Sequence, residues 1–417
     1  TLEVEYLIQN FVCPVVAISE QEINLQKLNS AFERAFDTFS FLKNQVVIQN
    51  NWYHFQQQET SFKNYLQISE RTLTSLSEID EICNQQQLND NHLCNFQLFK
   101  IQIQEFKTAK FVIVAQFAHF LMDGLSFFKF FRILADLYQN PNLQLDFKQL
   151  QSFSFLNYVS KNVKLVVEMQ DCFQTVSTNQ IQLTKIKTRI IPGIQRIPGF
   201  KTSISLLTYA AMLAAAFKLR KKNQQVQLLN QKQENQNEEQ QIEENEEVLL
   251  SSIDIRDVSG MFPPSQHLGM VSPAFDFEVK INKSNTKLQI AQMITDALQT
   301  SIQDVSDQQR ENLEQMIIEG EQSPIPLFHD FVEDFYFSNL GKYAAEETDL
   351  FQQCYCSTLQ TTQKQKVGFY NAHGGKYGQI LVEQQSQGVD YERIFAALQF
   401  IMKDGDVGVS QVMGMME

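Results

Sequence analysis

Three residues able to do chemistry stand close together in the segment Ala118-His119-Phe120-Leu121-Met122-Asp123-Gly124-Leu125-Ser126. His119 is flanked by Phe117, Ala118, Phe120, Leu121 and Met122. Apolar surroundings favour a neutral imidazole. Near pH 7 such a ring can take a proton from a hydroxyl, thiol or amine. The bland alternative is a ring satisfied by a backbone carbonyl within a core. Asp123 is a carboxylate amid apolar residues, so it must be paired or hydrogen-bonded. It either orients His119 or binds a distant Arg and braces the loop. Gly124 allows close backbone approach to a ligand, or is simply the turn ahead of a helix. The other histidines are weaker candidates. His54 follows Trp52-Tyr53 near a strand end, His92 falls in a polar loop, His329 precedes Asp330 in a Pro-flanked loop, and His373 precedes Gly374-Gly375 in a turn.

The elements on either side must hold these groups. Phe111 to Phe117 is apolar and β-branched, as a buried strand would be. Leu125, Phe128, Phe131, Leu134, Ala135 and Tyr138 recur at helical spacing. A strand running into His119 and a helix opening after Asp123-Gly124 would hold the site rigidly at both ends. Phe96 to Ile103 alternates and is expected to pair with the first strand as a hairpin turning over Glu105 to Lys110. Upstream, Leu25, Leu28, Ala31, Phe32, Ala35, Phe36 and Phe39 form a helical stripe with Asn24 as its cap. Gln45 to Gln49 and Tyr65 to Ser69 read as strands, and Leu73 to Gln86 as an amphipathic helix.

Downstream, Asn140-Pro141-Asn142 stops the central helix. Leu156 to Gln170 reads as a helix, and the polar stretch near Thr175 to Asn179 as a lobe boundary. The division predicted is 1–175 and 176–417. In the second part, Gln180 to Ile191, Val248 to Ile255, Phe275 to Ile281, Phe331 to Phe337, Phe351 to Ser357, Lys366 to Asn371 and Tyr377 to Glu383 read as strands. Thr202 to Leu219, Lys287 to Ile302, Gln308 to Ile318 and Tyr391 to Met402 read as helices, the last capped by Asp390. Residues 221–247 are Gln, Asn and Glu with little else, and are expected to form a solvent-exposed insertion, disordered or a frayed helix. Strands and helices mixed through both halves indicate an α/β sandwich arrangement.

Composition narrows the function. The net charge of −14 offers no basic stripe for nucleic acid, and it disfavours an anionic membrane surface. Part of it is local, since Lys232 through Glu247 holds one Lys and seven Glu. No apolar run reaches ~18 residues, so no transmembrane helix is expected. Cys13, Cys83, Cys94, Cys172, Cys354 and Cys356 show neither Cys-x-x-Cys pairing nor zinc-ligand spacing to a His, so no metal site is expected. They read as reduced thiols of an intracellular, cytoplasmic protein. The chain begins at Thr1 rather than Met, which leaves a removed leader and organelle import open.

The segment around His119 resembles the His-x-x-x-Asp-Gly motif of the chloramphenicol-acetyltransferase-like acyltransferases. That superfamily includes alcohol O-acetyltransferases and the condensation domains of peptide synthetases. Two more stretches match in order. Ser251-Ser252-Ile253-Asp254-Ile255-Arg256 is similar to the family's strand ending in Arg, and Phe335-Tyr336-Phe337-Ser338-Asn339-Leu340-Gly341 to its Ser/Thr-Asn-x-Gly strand end. The chain departs from the pattern in carrying Ala118 where many relatives have a second His, and Met270 where relatives often show the Asn of Leu-Gly-Asn. The plant-type Asp-Phe-Gly-Trp-Gly motif is absent.

The resemblance implies two similar α/β lobes with a tunnel between them, an acyl thioester entering from one face and an acceptor from the other. His119 would be the general base for an acceptor hydroxyl or amine. Asp123 would be structural and paired with Arg256. Gly124 would let backbone pass close to the reacting carbonyl. Ser338 or Asn339 would support the oxyanion or seal the lobe junction. The implied partners are a small-molecule acyl donor and acceptor, with acyl-CoA as co-substrate and no bound cofactor or metal. The alternative is a catalytically idle member of the same fold, kept as a subunit or scaffold of a larger assembly.

Overall fold

The fold is given by a computed structural model that describes residues 12–49, 52–57, 61–84, 92–118, 122, 124–144, 185–191, 195–232, 245–251, 276–300, 335–339, 348–356, 367–371, 378–384, 391–403 and 405–416. The expected helices at Leu156 to Gln170 and Gln308 to Ile318, and the cap Asp390, lie outside these residues.

The apolar, β-branched stretches of the first half form strands β1 (Val12–Ser19), β4 (Leu66–Leu73), β5 (Cys94–Ile101) and β6 (Phe111–Ala118). They line up in one five-stranded sheet of order β11-β1-β6-β5-β4, where β11 is Gln353–Cys356. The expected hairpin is present: β5 and β6 are antiparallel, with Cys94 opposite Phe117 and Lys100 opposite Phe111. Strand β6 is central, and all eight of its residues are buried.

Side-chain alternation divides β6 between two cores. Phe111, Ile113, Ala115 and Phe117 join a cluster under helices α1 (Leu25–Thr38) and α3 (Gly124–Gln139). Val112 and Val114 face the opposite way, with Ile79, Ile82 and Cys83 of α2 (Leu76–Asn84). The cap predicted for α1 forms, since Asn24 Oδ1 accepts from the Lys27 N–H at 3.0 Å.

Two features of this sheet escaped the sequence pattern. Strand β1 was unassigned, and Pro14 stands within it. Ser19 O accepts from the Lys110 N–H on the β6 side, whereas Ile18 O accepts from the Gln352 N–H on the β11 side. Position 14 shares the parity of 18, so its missing N–H falls on the β11 side. Among the described residues the ladder on that side reaches Val15, opposite Cys356. The second feature is β11 itself. It comes from the far end of the chain, yet it pairs with β1 in this first sheet. Leu350 and Phe351 join the same core, with the Phe351 ring edge-on to Phe131 at 5.4 Å.

A hairpin of β2 (Asn44–Gln49) and β3 (Trp52–Gln57) stands apart from the sheet. His54 lies within β3, opposite Val47.

In the second half, β7 (Lys185–Ile191), β10 (Phe335–Asn339), β12 (Val367–Asn371) and β13 (Gly378–Gln384) form a four-stranded sheet of order β10-β12-β13-β7. Strands β8 (Asn245–Ser251) and β9 (Asp276–Asn282) pair separately. Helix α4 (Thr202–Lys232) packs with α6 (Tyr391–Met402) and α7 (Val409–Met415). A helix over residues 287–300, α5, shares their core through Ile290, Ala291 and Ile294. Helix α4 runs 31 residues, past the Leu219 at which its apolar pattern stops. The first part of the low-complexity insertion thus continues a helix, and β8 begins at Asn245 rather than Val248. Gln, Lys and Leu are good helix formers, which carries the helix beyond its core-facing stripe.

The start of α5 is tied to the chain's last elements. Lys287 is 5% exposed, and its ammonium donates to Ile401 O at 3.1 Å and Lys403 O at 2.9 Å. These are carbonyls at the carboxyl end of α6, where a cation is favoured. Replacing Lys287 by Met would leave both carbonyls without this donor inside the core. Lys287→Met is expected to lower stability by about 1–3 kcal/mol, read as a drop in the chemical denaturation midpoint.

Helix α2 opens after the sequence Ser75-Leu76-Ser77-Glu78, in which the Glu78 side chain reaches back to the backbone ahead of the helix, one half of a capping box. The Glu78 carboxylate accepts from the Thr74 N–H at 2.5 Å, the Thr74 hydroxyl at 2.9 Å, the Ser75 N–H at 3.1 Å and the Arg71 guanidinium at 2.5 Å. The Thr74 backbone bond, then Arg71, hold the Glu78 carboxyl down to about 2. Its folded value lies below its unfolded value, so the contribution is complete above pH 4.5 and is lost as pH falls towards 2. The melting temperature of Glu78→Gln should therefore lie below wild type at neutral pH and converge on it across that window. Parallel curves would contradict the cap.

Candidate active site

The candidate site sits at the carboxyl end of β6, so its rigidity depends on how that strand end is held. The last ladder bond is Ala118 N–H to Leu93 O, at 2.8 Å. One residue earlier, the Phe117 ring stacks on Phe127 of α3 at 5.1 Å. It also meets Phe130 at 5.8 Å and Phe96 of β5 at 5.3 Å, both edge-on. Phe96 in turn stacks on Phe130 at 5.4 Å. Strand end, neighbouring strand and first helical turns are thus bound by one group of rings, each contact adding to the area buried. Met122, inside the motif, is fully buried in the same cluster.

His119, Asp123 and Arg256 lie outside the described residues. What the structure gives for the motif is its two anchors: β6 ends at Ala118, and α3 starts at Gly124, as the sequence pattern predicted to within a residue. Ser338 and Asn339 close β10, where they pair in parallel with Tyr370 and Asn371 of β12. Asn371 stands opposite Ile380 of β13, and Ile380 opposite Arg189 of β7. Asn339 and Arg189 therefore lie on one row across the second sheet.

One element touches both sheets. Helix α2 packs against both β6 and β7. On its β6 side the Gln116 amide donates to Ile82 O at 3.4 Å. Gln116 and its cross-strand partner Asn95 are both buried, so the α2 face of the sheet turns polar at the end where the motif begins.

His92 is at this same end of the sheet and is not in a polar loop. It bridges to Gln45 of the hairpin and stacks on Tyr65 at 4.4 Å, with Nδ1 buried. Both partners are distant in sequence, which a local pattern does not reveal. Asp80 of α2 was also passed over. It is 8% exposed, although it reads as one more acid on an amphipathic helix.

Cysteine chemistry is disfavoured at two positions. Burial pushes the Cys94 and Cys354 thiols up, so both stay protonated near pH 7 and neither is a ready nucleophile. The Cys94 thiol donates to Leu42 O at 3.6 Å. Among the described residues, no group of three or more His, Cys, Asp or Glu could hold a metal ion, and no helix is long and apolar enough to cross a membrane.

Residues 5–170 match a family model described as Condensation domain, a span that includes His119, Asp123 and Gly124. Solved structures share the fold across nearly the whole chain. The first condensation domain of the CDA synthetase has a TM-score of 0.57 at 10% identity, with 98% of this chain and 96% of that one covered. The first condensation domain of the calcium-dependent antibiotic synthetase, in complex with a substrate analogue, has 0.55 at 10% identity and the same coverage. Polyketide synthase associated protein 5 from Mycobacterium tuberculosis has 0.54 at 11% identity, with 96% and 95% covered. Curated protein sequences give no match. Residues 5–170 thus match the Condensation domain model, and over nearly the whole chain the fold is similar to the two-lobed α/β fold of the condensation-domain structures.

Proposed function

We propose that the protein is an acyltransferase that moves an acyl group from an acyl thioester to a hydroxyl or amine acceptor. The observation that carries this reading is the Condensation domain match, whose span contains the whole His119-to-Gly124 segment. The held strand end and the helix start on either side of that segment support it.

In this reading neutral His119 takes the proton of the acceptor as its oxygen or nitrogen attacks the thioester carbonyl. The tetrahedral intermediate collapses with cleavage of the carbon–sulfur bond. The imidazolium then returns the proton to the departing thiolate. No covalent enzyme intermediate is required, because a thioester is already activated. Asp123 carries a structural charge neutralised by Arg256, which leaves His119 to titrate alone. Gly124 leaves room for backbone beside the reacting carbonyl. Ser338 or Asn339 supports the oxyanion.

Acyl-CoA is the donor carried from the sequence reading. The Condensation domain match favours a second donor, the same thioester presented on a carrier protein. A different reading, an idle fold kept as a subunit or scaffold, draws on the acidic Gln-rich segment and on Met270.

The test follows free thiol release from acyl-CoA and from acyl-carrier thioesters with hydroxyl and amine acceptors. Turnover is expected, and His119→Ala should lower kcat by ~10²–10⁴-fold. Turnover unchanged in that variant would remove His119 as base. Absence of turnover with either donor, together with stable co-purification in a complex, would support the scaffold. The proposed Asp123–Arg256 pair makes a separate prediction. Arg256→Ala strands a buried carboxylate and should cost about 3–5 kcal/mol. An unchanged melting temperature would count against the pair.

A further inference from the structure

His92 stands where three separate ties meet. Its backbone bridges antiparallel to Gln45, near the start of the β2–β3 hairpin. Its ring lies on the Tyr65 ring at 4.4 Å, 24° from parallel. The carbonyl of the next residue, Leu93, takes the last ladder bond of β6 from the Ala118 N–H at 2.8 Å. The surrounding chain is anchored to the same place. The Cys94 thiol donates to Leu42 O at 3.6 Å, the Tyr65 hydroxyl donates to Lys43 O at 3.4 Å, and Tyr65 O accepts from the Phe96 N–H at 2.7 Å. Tyr65 is fully buried, and its ring passes the contact on to Phe36 at 4.9 Å, and so to Phe96 and Phe117. His92 Nδ1 is buried without a hydrogen-bond partner, so the stack, and not a polar contact at that atom, fixes the ring.

Register says what these ties act on. Along the β5–β6 pair, Lys100 stands opposite Phe111 and Cys94 opposite Phe117. The bond from Ala118 N–H to Leu93 O carries the same register one residue further. We propose that it runs one more step, so that His92 is the cross-strand neighbour of His119, and that the His92 ring, held by Tyr65, is a positioning residue that sets where the His119 imidazole stands. Bonded and non-bonded pairs alternate along an antiparallel ladder. Ile101 N–H bonds to Lys110 O and Ala118 N–H to Leu93 O, so a pair at 92 and 119 is of the non-bonded kind, in which side chains approach most closely. Alternation also assigns both positions to the face of Cys94 and Phe117, towards α1 and α3. A fixed ring beside His119 limits the rotamers open to it. That matters for a general base, which must lie within ~2.6–3.2 Å of the group whose proton it takes. The positioning role rests on the acyl-transfer reading above; the juxtaposition of the two residues does not.

The experiment combines crosslinking with turnover. A non-bonded antiparallel pair has its Cα atoms about 4.5 Å apart, within the span a disulfide bridges. The double variant His92→Cys with His119→Cys should therefore form a disulfide under mild oxidation, located by peptide mapping to separate it from the six native cysteines. The pair His92→Cys with Phe120→Cys, on opposite faces, should not. No link between 92 and 119, or a link to 120 in equal yield, would overturn the juxtaposition. In turnover, His92→Ala should lower kcat by about tenfold, the order of one aromatic stack, with KM for the thioester nearly unchanged. His92→Phe keeps a ring on Tyr65 and should recover most of that loss, with a melting temperature no lower than wild type. A wild-type kcat in His92→Ala, or equal losses in the Ala and Phe variants, would overturn the positioning role. Should His92→Ala fail to fold, His92→Leu fills the space without a planar ring and takes its place. Failure of both to fold while His92→Phe folds would make the ring a folding element and overturn the role. If the wild type turns over no thioester, the acyl-transfer reading and the positioning role fall together, and the crosslink still decides the juxtaposition.

Discussion

The structure depends on a strand with no wet side. All eight residues of β6 are buried, with strands on both edges and helices over both faces. A chain so enclosed has its backbone bonds satisfied by neighbours and its side chains fixed by packing, so the point where it emerges is well defined. That point is Ala118. The rings of Phe96, Phe117, Phe127 and Phe130 then carry the constraint across to α3, which leaves the intervening segment tethered at both ends. Among the described residues such ring contacts belong to the first core, whereas the core of the second half is mostly Leu, Ile, Ala, Val and Met.

The two halves are not independent. Strand β11 leaves the second half to complete the first sheet, and its Phe351 lies against Phe131 of α3. In the opposite direction, α2 of the first half reaches β7 of the second. Each half therefore buries part of the other, so altering one disturbs the strand ends on both. The candidate segment between β6 and α3 gains geometric control from these crossings.

Much of this was legible in local pattern. The stripe from Leu25 to Phe39, the alternation of Phe96 to Ile103 and the apolar run from Phe111 correspond to α1, β5 and β6 within a few residues. The motif's position between a strand and a helix was equally plain, because both periodicities are strong and adjoin it directly. What stayed hidden arises from distance. Val12–Ser19 contains a proline, which read locally argues against a strand. Phe351 to Ser357 was readable as a strand, but nothing in its own residues says that its partner is β1. The stacking of His92 on Tyr65 likewise joins residues that no short window contains.

The central claim is that acyl transfer takes place where β6 gives way to α3. A crystal structure with a hydrolysis-resistant acyl-thioester analogue bound tests it most directly. The account predicts that the analogue's carbonyl lies at the end of β6, with an acceptor-mimicking oxygen or water ~2.6–3.2 Å from a ring nitrogen of His119. An analogue bound with its carbonyl remote from that imidazole, or a ring closed off from the bound ligand by side chains, would contradict it.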